Sequence, residues 1–429
     1  MKILIVYHKI YERDIRATID EHLYSFRRYS IEKCYYLNAA LGIPAYLKWI
    51  KFDLIIFHYT FFAWKWFPKA KTGFLKRCER LKEVRGYKVA IPQDEYVHSD
   101  AVCSFFREFG IKTVFTCLPE TEWQKVYPRE KSGLEHYVTV LTGYIDEGAV
   151  ARISKYKKEL REIDIGYRAR KLPYWLGRHG QLKWLLAEKF SKTDRGHGLR
   201  VDISTEPGDV FLGEDWYRFL LRCRTVLGCE GGASLHDPDG TIWQRVETYM
   251  ETHPSAEFDE VEQSCFPGQD GNLKLFSLSP RHFECCITRT CQVLVEGDYG
   301  GILKPGVHYI DIKKDWSNLE QVMQKIKDRF YCERLAENAF GDIVGSGLYT
   351  YRKFVDKVIA HSQSVVNKEG ESFSRRELIC LELIEYRERL ADIPLASRHL
   401  IKSAVKYLFV LFGMDSQLEK LKTLARERV

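Results

Sequence analysis

The chain reads as an α/β protein: two doubly wound, Rossmann-like domains facing a cleft, followed by a helical C-terminal extension. Three observations predict this. The strand-like runs are short and continuously apolar, as parallel strands covered on both faces are. They alternate with stretches of helical spacing. The series then restarts near residue 161, in a chain whose 429 residues exceed one ordinary core.

In the first half, "ILIVYH" (3–8) opens as a buried strand, and Ile15, Ile19, Leu23 and Phe26 follow at helical spacing. "CYYLN" (34–38), "FDLIIFHY" (52–59), "YKVAIPQD" (87–94), "KTVFTCL" (112–118) and "YVTVLTGYI" (137–145) continue the strands. Helices are expected near 73–85, 98–109 and 147–160. The second half begins at "IDIGYRARKLPYWLG" and has strands at 199–204, 225–229, 292–296 and 308–312. Helices fit 175–190, 214–224, 281–290 and 316–329. The expected domains are therefore 1–160, 161–345 and an extension over 346–429. Within the second domain, after the strand at 225–229, sits an unusually long connection, 230–278, without strong periodicity. A connection of that length is often functional.

Composition narrows the partners. Lys plus Arg number 66 against 59 Asp plus Glu, a net charge of +7 spread along the chain. That balance suits an anionic small ligand or an anionic membrane surface. The basic and aromatic residues do not interleave as in an RNA module, so no nucleic-acid partner is expected. Twelve cysteines at irregular spacing, with no C-x-x-C, read as reduced and mostly buried thiols in a cytoplasmic protein. "MKILIVYHK" reads as a strand and not as a signal peptide, and no run reaches the roughly 18 apolar residues of a membrane span. The tail "ASRHLIKSAVKYLFVLFGMDSQLEKLKTLARERV" is basic and aromatic. It packs across the two halves, forms a dimer contact, or docks at the inner face of an anionic membrane.

Several chemistries lack their motif. G-x-G-x-x-G does not follow the first strand, and G-x-x-x-x-G-K-[ST], H-E-x-x-H and G-x-S-x-G do not occur. The stronger constellation is "SLSPRHFECCITRTCQVLVEG", 277–297. Ser279 suits an N-cap and Pro280 a first helical position. Such a helix start directs free N–H groups and a positive dipole end at a phosphate. Arg281 adds a planar fork of donors, and Glu284, one turn inside, offers an acceptor pair for the two ribose hydroxyls of a nucleotide. "CEGGAS" follows an apolar strand, and Gly231, Gly232 and the serine there form a candidate anion nest, with Glu230 beside them as a further donor-binding candidate. Arg168 follows the strand "IDIGY", and Lys183 lies on the next helix. Together these groups favour a diphosphate-containing donor in the second domain. In the first half, Asp94 and Glu95 after "VAIP", and His58 after "LIIF", are candidate bases for an acceptor hydroxyl. Arg13, Arg16 and His22 form a further polar group that could meet an anionic acceptor.

At "SPRHFECCITRTCQVLVEG" the sequence resembles nucleotide-sugar glycosyltransferases of the GT-B fold, in particular bacterial CgeB-like and group 1-like enzymes. The resemblance spans about 1–350, through "RATIDEHLYSFRRYS", "IGYRARKLPYWLG" and "LGCEGGASLHDPDG". It implies transfer of a sugar from a nucleoside-diphosphate sugar to a hydroxyl of a surface polysaccharide or lipid-linked glycan, with no further cofactor. It also implies that Glu284 holds the ribose and that Arg168 and Lys183 contact the diphosphate. In one respect the chain departs from that pattern. Retaining relatives often carry Glu-x7-Glu, and Phe276 stands where the first glutamate falls. Either the long connection brings Glu230 into that place or the pattern is unused, so the stereochemical outcome is open. No D-x-D lies in a suitable strand-end context, so no metal is expected. Arg, Lys and a helix end would neutralise the diphosphate instead. Two alternatives are a nucleotide-sugar epimerase of the same fold and a catalytically silent subunit that binds a glycan or a partner.

Overall fold

A computed structural model describes residues 1–10, 17–156, 161–193, 198–366 and 374–391. Two all-parallel sheets organise it. The N-terminal sheet has six strands in the order β2-β1-β3-β4-β5-β6. Its elements run β1 (Lys2–Tyr7), α1 (Ala17–Leu23), α2 (Ser25–Tyr29), β2 (Lys33–Asn38), β3 (Lys51–Phe57), α3 (Pro68–Cys78), β4 (Arg85–Ala90), α4 (Ser99–Phe109) and β5 (Ile111–Thr116). Two single-turn helices follow, α5 (Trp123–Val126) and α6 (Arg129–Ser132), then β6 (His136–Thr139). The apolar run of β1 is buried from Ile3 to Tyr7, because helices cover both faces of the sheet.

The chain crosses to the second domain through α7 (Glu147–Ile153). There it forms β7 (Ile163–Arg168), α8 (Gly177–Thr193), β8 (Val201–Ser204), α9 (Glu214–Arg222) and β9 (Cys223–Gly228). The connection expected to be irregular contains β10 (Gly231–Ala233), α10 (Thr241–Thr252), α11 (Phe258–Cys265) and β11 (Leu275–Ser277). Then come α12 (Pro280–Ile287), β12 (Cys291–Val295), β13 (Tyr309–Ile312), α13 (Leu319–Lys327) and α14 (Arg329–Ala339). The second sheet is ordered β13-β12-β9-β7-β8, while β10 and β11 form a separate antiparallel pair.

The chain returns to the N-terminal domain beside its outward crossing. Ile145 N–H donates to the Tyr349 carbonyl at 2.8 Å, and Tyr351 N–H to the Ile145 carbonyl at 3.1 Å. Helix α15 (Tyr351–Val365) then lays Tyr351, Phe354, Val355, Val358 and Ile359 against Ile3, Ile5, Leu23 and Phe26. This is the i, i+3, i+4, i+7 stripe of a core-facing helix. Helix α16 (Arg375–Ala391) buries Cys380, Leu381 and Ile384, and Lys2 pairs with its Glu377 at 2.7 Å. The start of the extension is thus helical and belongs physically to the N-terminal domain. The aromatic, basic tail falls outside the described residues. No helix among the described residues is long and apolar enough to cross a membrane.

The 230–278 segment also reaches the N-terminal domain. Its Leu235, Ile242, Val246 and Phe266 share one core with Phe57, Phe61 and Phe105. At the junction, Trp66 and Tyr96 of the N-terminal domain meet Trp175 and Trp243, with ring centroids 5.4–6.2 Å apart. Such contacts add to plain apolar burial by about 0.5–1.5 kcal/mol per pair.

Candidate functional site

In each sheet, chain order reverses beside the first strand, between β1 and β3 and between β7 and β9. Crevices at such switch points are where doubly wound sheets take ligands. A cavity of about 270 Å³ lies there, between the domains. One wall is the carboxyl ends of β7 and β9, at Tyr167 and Arg168 and at Gly228 and Cys229. The start of α12 and the segment Val210–Gly213 complete that side, while Ala17, Thr18 and Glu21 of α1 face it from the N-terminal domain.

Helix α12 divides its side chains by periodicity. Arg281 and Glu284, three apart, share the cavity face. His282 points into the core, where it hydrogen-bonds the Gln292 side chain at 2.8 Å and the Cys229 carbonyl at 3.2 Å. Burial holds His282 neutral, with its pKa pushed down to about 4. So the arginine and the glutamate of the motif serve the cavity, and its histidine braces the helix. Ser279 is the N-cap residue, with φ −80° and ψ 155°, and its hydroxyl makes no cap hydrogen bond. That leaves this end of the helix open to an anion in the cavity. The helix start is anchored from the other domain. Thr142 Oγ1 donates to the Leu278 carbonyl at 2.7 Å, and Gly143 lies so close to the Pro280 ring that a Cβ there would stand 2.6 Å from it.

The Glu284 carboxylate accepts a hydrogen bond from Trp216 Nε1 at 2.7 Å, which fixes its orientation. The Arg281 guanidinium lies 5.0 Å from the Trp216 ring and 5.8 Å from the Tyr167 ring. Among the described residues it has no carboxylate partner. A cation held over aromatic faces keeps its N–H groups available to phosphate oxygens. Lys183 reaches the same cavity from α8.

The other expected donor groups are placed differently. Arg168 borders the cavity, but its fork is engaged within the protein. It donates to the carbonyls of Asp209 (3.1 Å), Tyr167 (2.9 Å) and Asp202 (2.9 Å) and pairs with the Asp202 carboxylate at 2.7 Å. The role this geometry gives it is to tie β7 to β8. Glu230 is buried and turned to the loop after β12, where it accepts the Tyr299 N–H at 2.7 Å. It therefore does not stand in for the missing glutamate, and Phe276 stacks on the His179 ring at 4.0 Å. Gly231 and Gly232 pair with Ser277 and Phe276 in the two-stranded ladder. Gly232 has φ 103°, and any side chain there would collide with the Leu275 carbonyl. These glycines permit strand contact and form no anion nest on the cavity.

The three candidate bases separate as sharply. His58 is fully buried, bonded through Nε2 to His22 at 2.9 Å and through Nδ1 to Thr60 at 2.9 Å. It caps a 3₁₀ turn and is cut off from any acceptor. Glu95 is buried too; it takes the Cys117 N–H at 2.8 Å and the Thr116 hydroxyl at 2.5 Å. Burial pushes its pKa up to about 7 against those hydrogen bonds. Asp94 alone is exposed, at the carboxyl end of β4 with φ 53°. The buried Lys65 ammonium holds the Asp94 and Gln93 carbonyls, each at 2.6 Å, and so fixes this left-handed turn. A non-glycine residue held in that region costs of order 1–3 kcal/mol, and such strain gathers at functional sites. Of the polar group near the N-terminus, His22 is buried against His58, and Arg13 and Arg16 lie outside the described residues.

Sequence reasoning missed Glu21, Trp216 and Tyr217. Glu21 is one polar position of a short helix, and only the meeting of the two domains places it on the cavity.

No family model matches the chain, and no curated protein matches it. Similar solved structures include Anabaena HepE in complex with UDP and glucose, 11% identical with a TM-score of 0.46, over 85% of this chain and 100% of that one. The DNA-modifying β-glucosyltransferase, solved with and without uridine diphosphoglucose, is 9% identical with a TM-score of 0.48, again over 85% and 100%. A Staphylococcus aureus TarM variant with UDP is 10% identical with a TM-score of 0.42, over 72% of this chain and 55% of that one. Two parallel α/β sheets about a cleft, the GT-B arrangement, are visible in this chain's own topology.

Proposed function

We propose that the protein is a glycosyltransferase that moves a sugar from a nucleoside-diphosphate sugar to a glycan hydroxyl. The observation that carries this is the inter-domain cavity against α12, with Ser279, Arg281 and Glu284 on one face. In this reading Glu284, oriented by Trp216, accepts the ribose hydroxyls. Arg281, Lys183 and the helix start surround the diphosphate. The acceptor oxygen bonds to the anomeric carbon as the bond from that carbon to the diphosphate oxygen breaks. The electron pair leaves with the diphosphate, whose charge the cations and the helix dipole stabilise. The acceptor proton passes to Asp94, at a strand end of the opposite domain. The surplus of basic residues and the aromatic tail support a surface polysaccharide or lipid-linked acceptor met at the cytoplasmic face of a membrane.

The test is release of nucleoside diphosphate by the full chain from UDP-, GDP- and dTDP-sugars, with and without lipid-linked or oligosaccharide acceptors. Release that depends on the acceptor is expected. Interconversion of the donor sugar without any acceptor would assign an epimerase instead, and a chain that binds no nucleotide would refute the donor site.

A further inference from the structure

We propose that Glu21 is the N-terminal domain's own donor-binding group, lining the cleft opposite the domain that carries Glu284. The inference rests on the donor-site reading and extends it to a residue on the opposite domain. Glu21 lies on α1 and lines the same cavity as Arg281 and Glu284. It is half-buried, and the charges around it conflict. Glu284 of α12 and Asp146, the N-cap of α7, act on it with like charge, while Arg28 of α2 and Arg152 of α7 act with opposite charge. The arginines are engaged elsewhere: Arg28 pairs with Asp146 at 3.7 Å, and Arg152 pairs with Glu214 at 2.5 Å. Burial and the two carboxylates prevail and push the Glu21 pKa up to about 7.

Two carboxyl groups that feel each other in a closed site resist double ionisation. The Glu284 carboxylate accepts the Trp216 indole N–H. Glu21, raised to about 7 chiefly by burial, carries its proton below that pH, and a carboxylic acid donates where a carboxylate only accepts. A donor seated on Glu284 presents ribose and phosphate oxygens, which are acceptors for that proton. Ionised, Glu21 would place a second negative charge against an anionic ligand. The donor is thereby held from both domains, and its affinity depends on pH. Among the described residues, the histidine and tyrosines around Glu21 do not titrate near neutrality. Burial holds His22, next on the same helix, neutral with a pKa of about 3. It also pushes the Tyr217, Tyr351 and Tyr59 phenols above their ordinary range.

The test is calorimetric titration of UDP-glucose into the full chain between pH 6 and 8, for wild type, Glu21→Gln and Glu21→Ala. This donor's pyrophosphate does not titrate in that interval. Wild-type affinity should fall about tenfold between pH 6 and pH 8, as one proton of pKa about 7 is lost. Glu21→Gln, a neutral isostere that still donates, should bind at the wild-type pH 6 level throughout. Glu21→Ala should bind more weakly at pH 6 and show no slope. A wild type that binds equally at both pH values, or a Glu21→Gln variant that keeps the wild-type slope, overturns the role of Glu21 while the donor site stands. A wild type that binds neither UDP-glucose nor, titrated in the same way, a GDP- or dTDP-sugar at any pH overturns the donor-site reading itself and the Glu21 role with it.

Discussion

Val97 and Asp237 form a parallel β-bridge between the N-terminal domain and the segment inserted after β9. His98 N–H donates to the Asp237 carbonyl at 2.9 Å, and Asp237 N–H to the Tyr96 carbonyl at 2.8 Å. The bridge follows directly on Asp94 and Glu95, and Ser99 hydrogen-bonds His236 at 2.8 Å just beyond it. The domains are therefore joined at the two chain crossings and again here. A cleft joined on both sides has less freedom to hinge than one joined at its crossings alone.

The Asp237 carboxylate makes the turn that enters α10, accepting N–H bonds from Gly240 at 3.1 Å and Trp243 at 2.8 Å. Asp237→Ala removes both acceptors and leaves one buried and one part-buried donor unpaired. We expect a loss of about 2–3 kcal/mol in urea unfolding, together with faster proteolysis within 229–278. A loss below about 0.5 kcal/mol would show that the aromatic contacts hold the junction unaided.

Asp94 and Glu95 are adjacent, yet their roles should separate in kinetics. Asp94→Asn should lower the turnover number by about 10²- to 10⁴-fold with donor affinity unchanged. Glu95→Gln should keep turnover per folded molecule within about threefold, because the carboxylate braces β5 and does not face the acceptor. Equal losses for the two variants would contradict this division.

The His22–His58 pair makes stability depend on acid. Burial lowers both pKa values, that of His22 to about 3. Below about pH 6.5 the unfolded chain binds protons that the folded pair does not, so the pair's contribution falls as pH falls. The slope is up to about 1.4 kcal/mol per pH unit for one such group. Glu21 and Glu95, raised to about 7, oppose it, since their folded forms take up protons first. The pair is therefore read by difference. Between pH 7 and 5, wild type should lose about 2 kcal/mol relative to His22→Leu in urea unfolding. Parallel pH profiles would mean that the pair is charged in the folded state.

How far the sequence reached is clearest from single elements. Continuous apolar runs such as "ILIVYH" and "QVLVE" marked both sheets, because a parallel strand buried on two faces leaves that record locally. Ser279, Pro280, Arg281 and Glu284 were legible because capping and i, i+3 spacing are local rules. The inserted segment was not, since α10 and α11 bury only part of their surface and lean on the N-terminal domain for the rest. Residues at strand ends misled. Arg168, Glu230 and Glu95 sit where ligand groups sit, and which way each side chain turns is decided by partners 34, 69 and 22 residues away. Glu21 left no local trace at all, because its environment exists only where the two domains meet.

The claim on which the rest depends is that the α12 face is a nucleotide site, and binding measured beside melting tests it most directly. UDP and uridine should be titrated into wild type, Arg281→Ala and Glu284→Gln, with a thermal melt of each protein. Glu284→Gln should weaken both ligands by roughly 10- to 150-fold, because one ribose hydroxyl loses a charge-assisted bond. Arg281→Ala should weaken UDP and leave uridine nearly unchanged, and both variants should melt close to wild type. Unaltered UDP affinity in both variants, with a lowered melting temperature for Glu284→Gln, would contradict the account and leave Glu284 as a brace for Trp216.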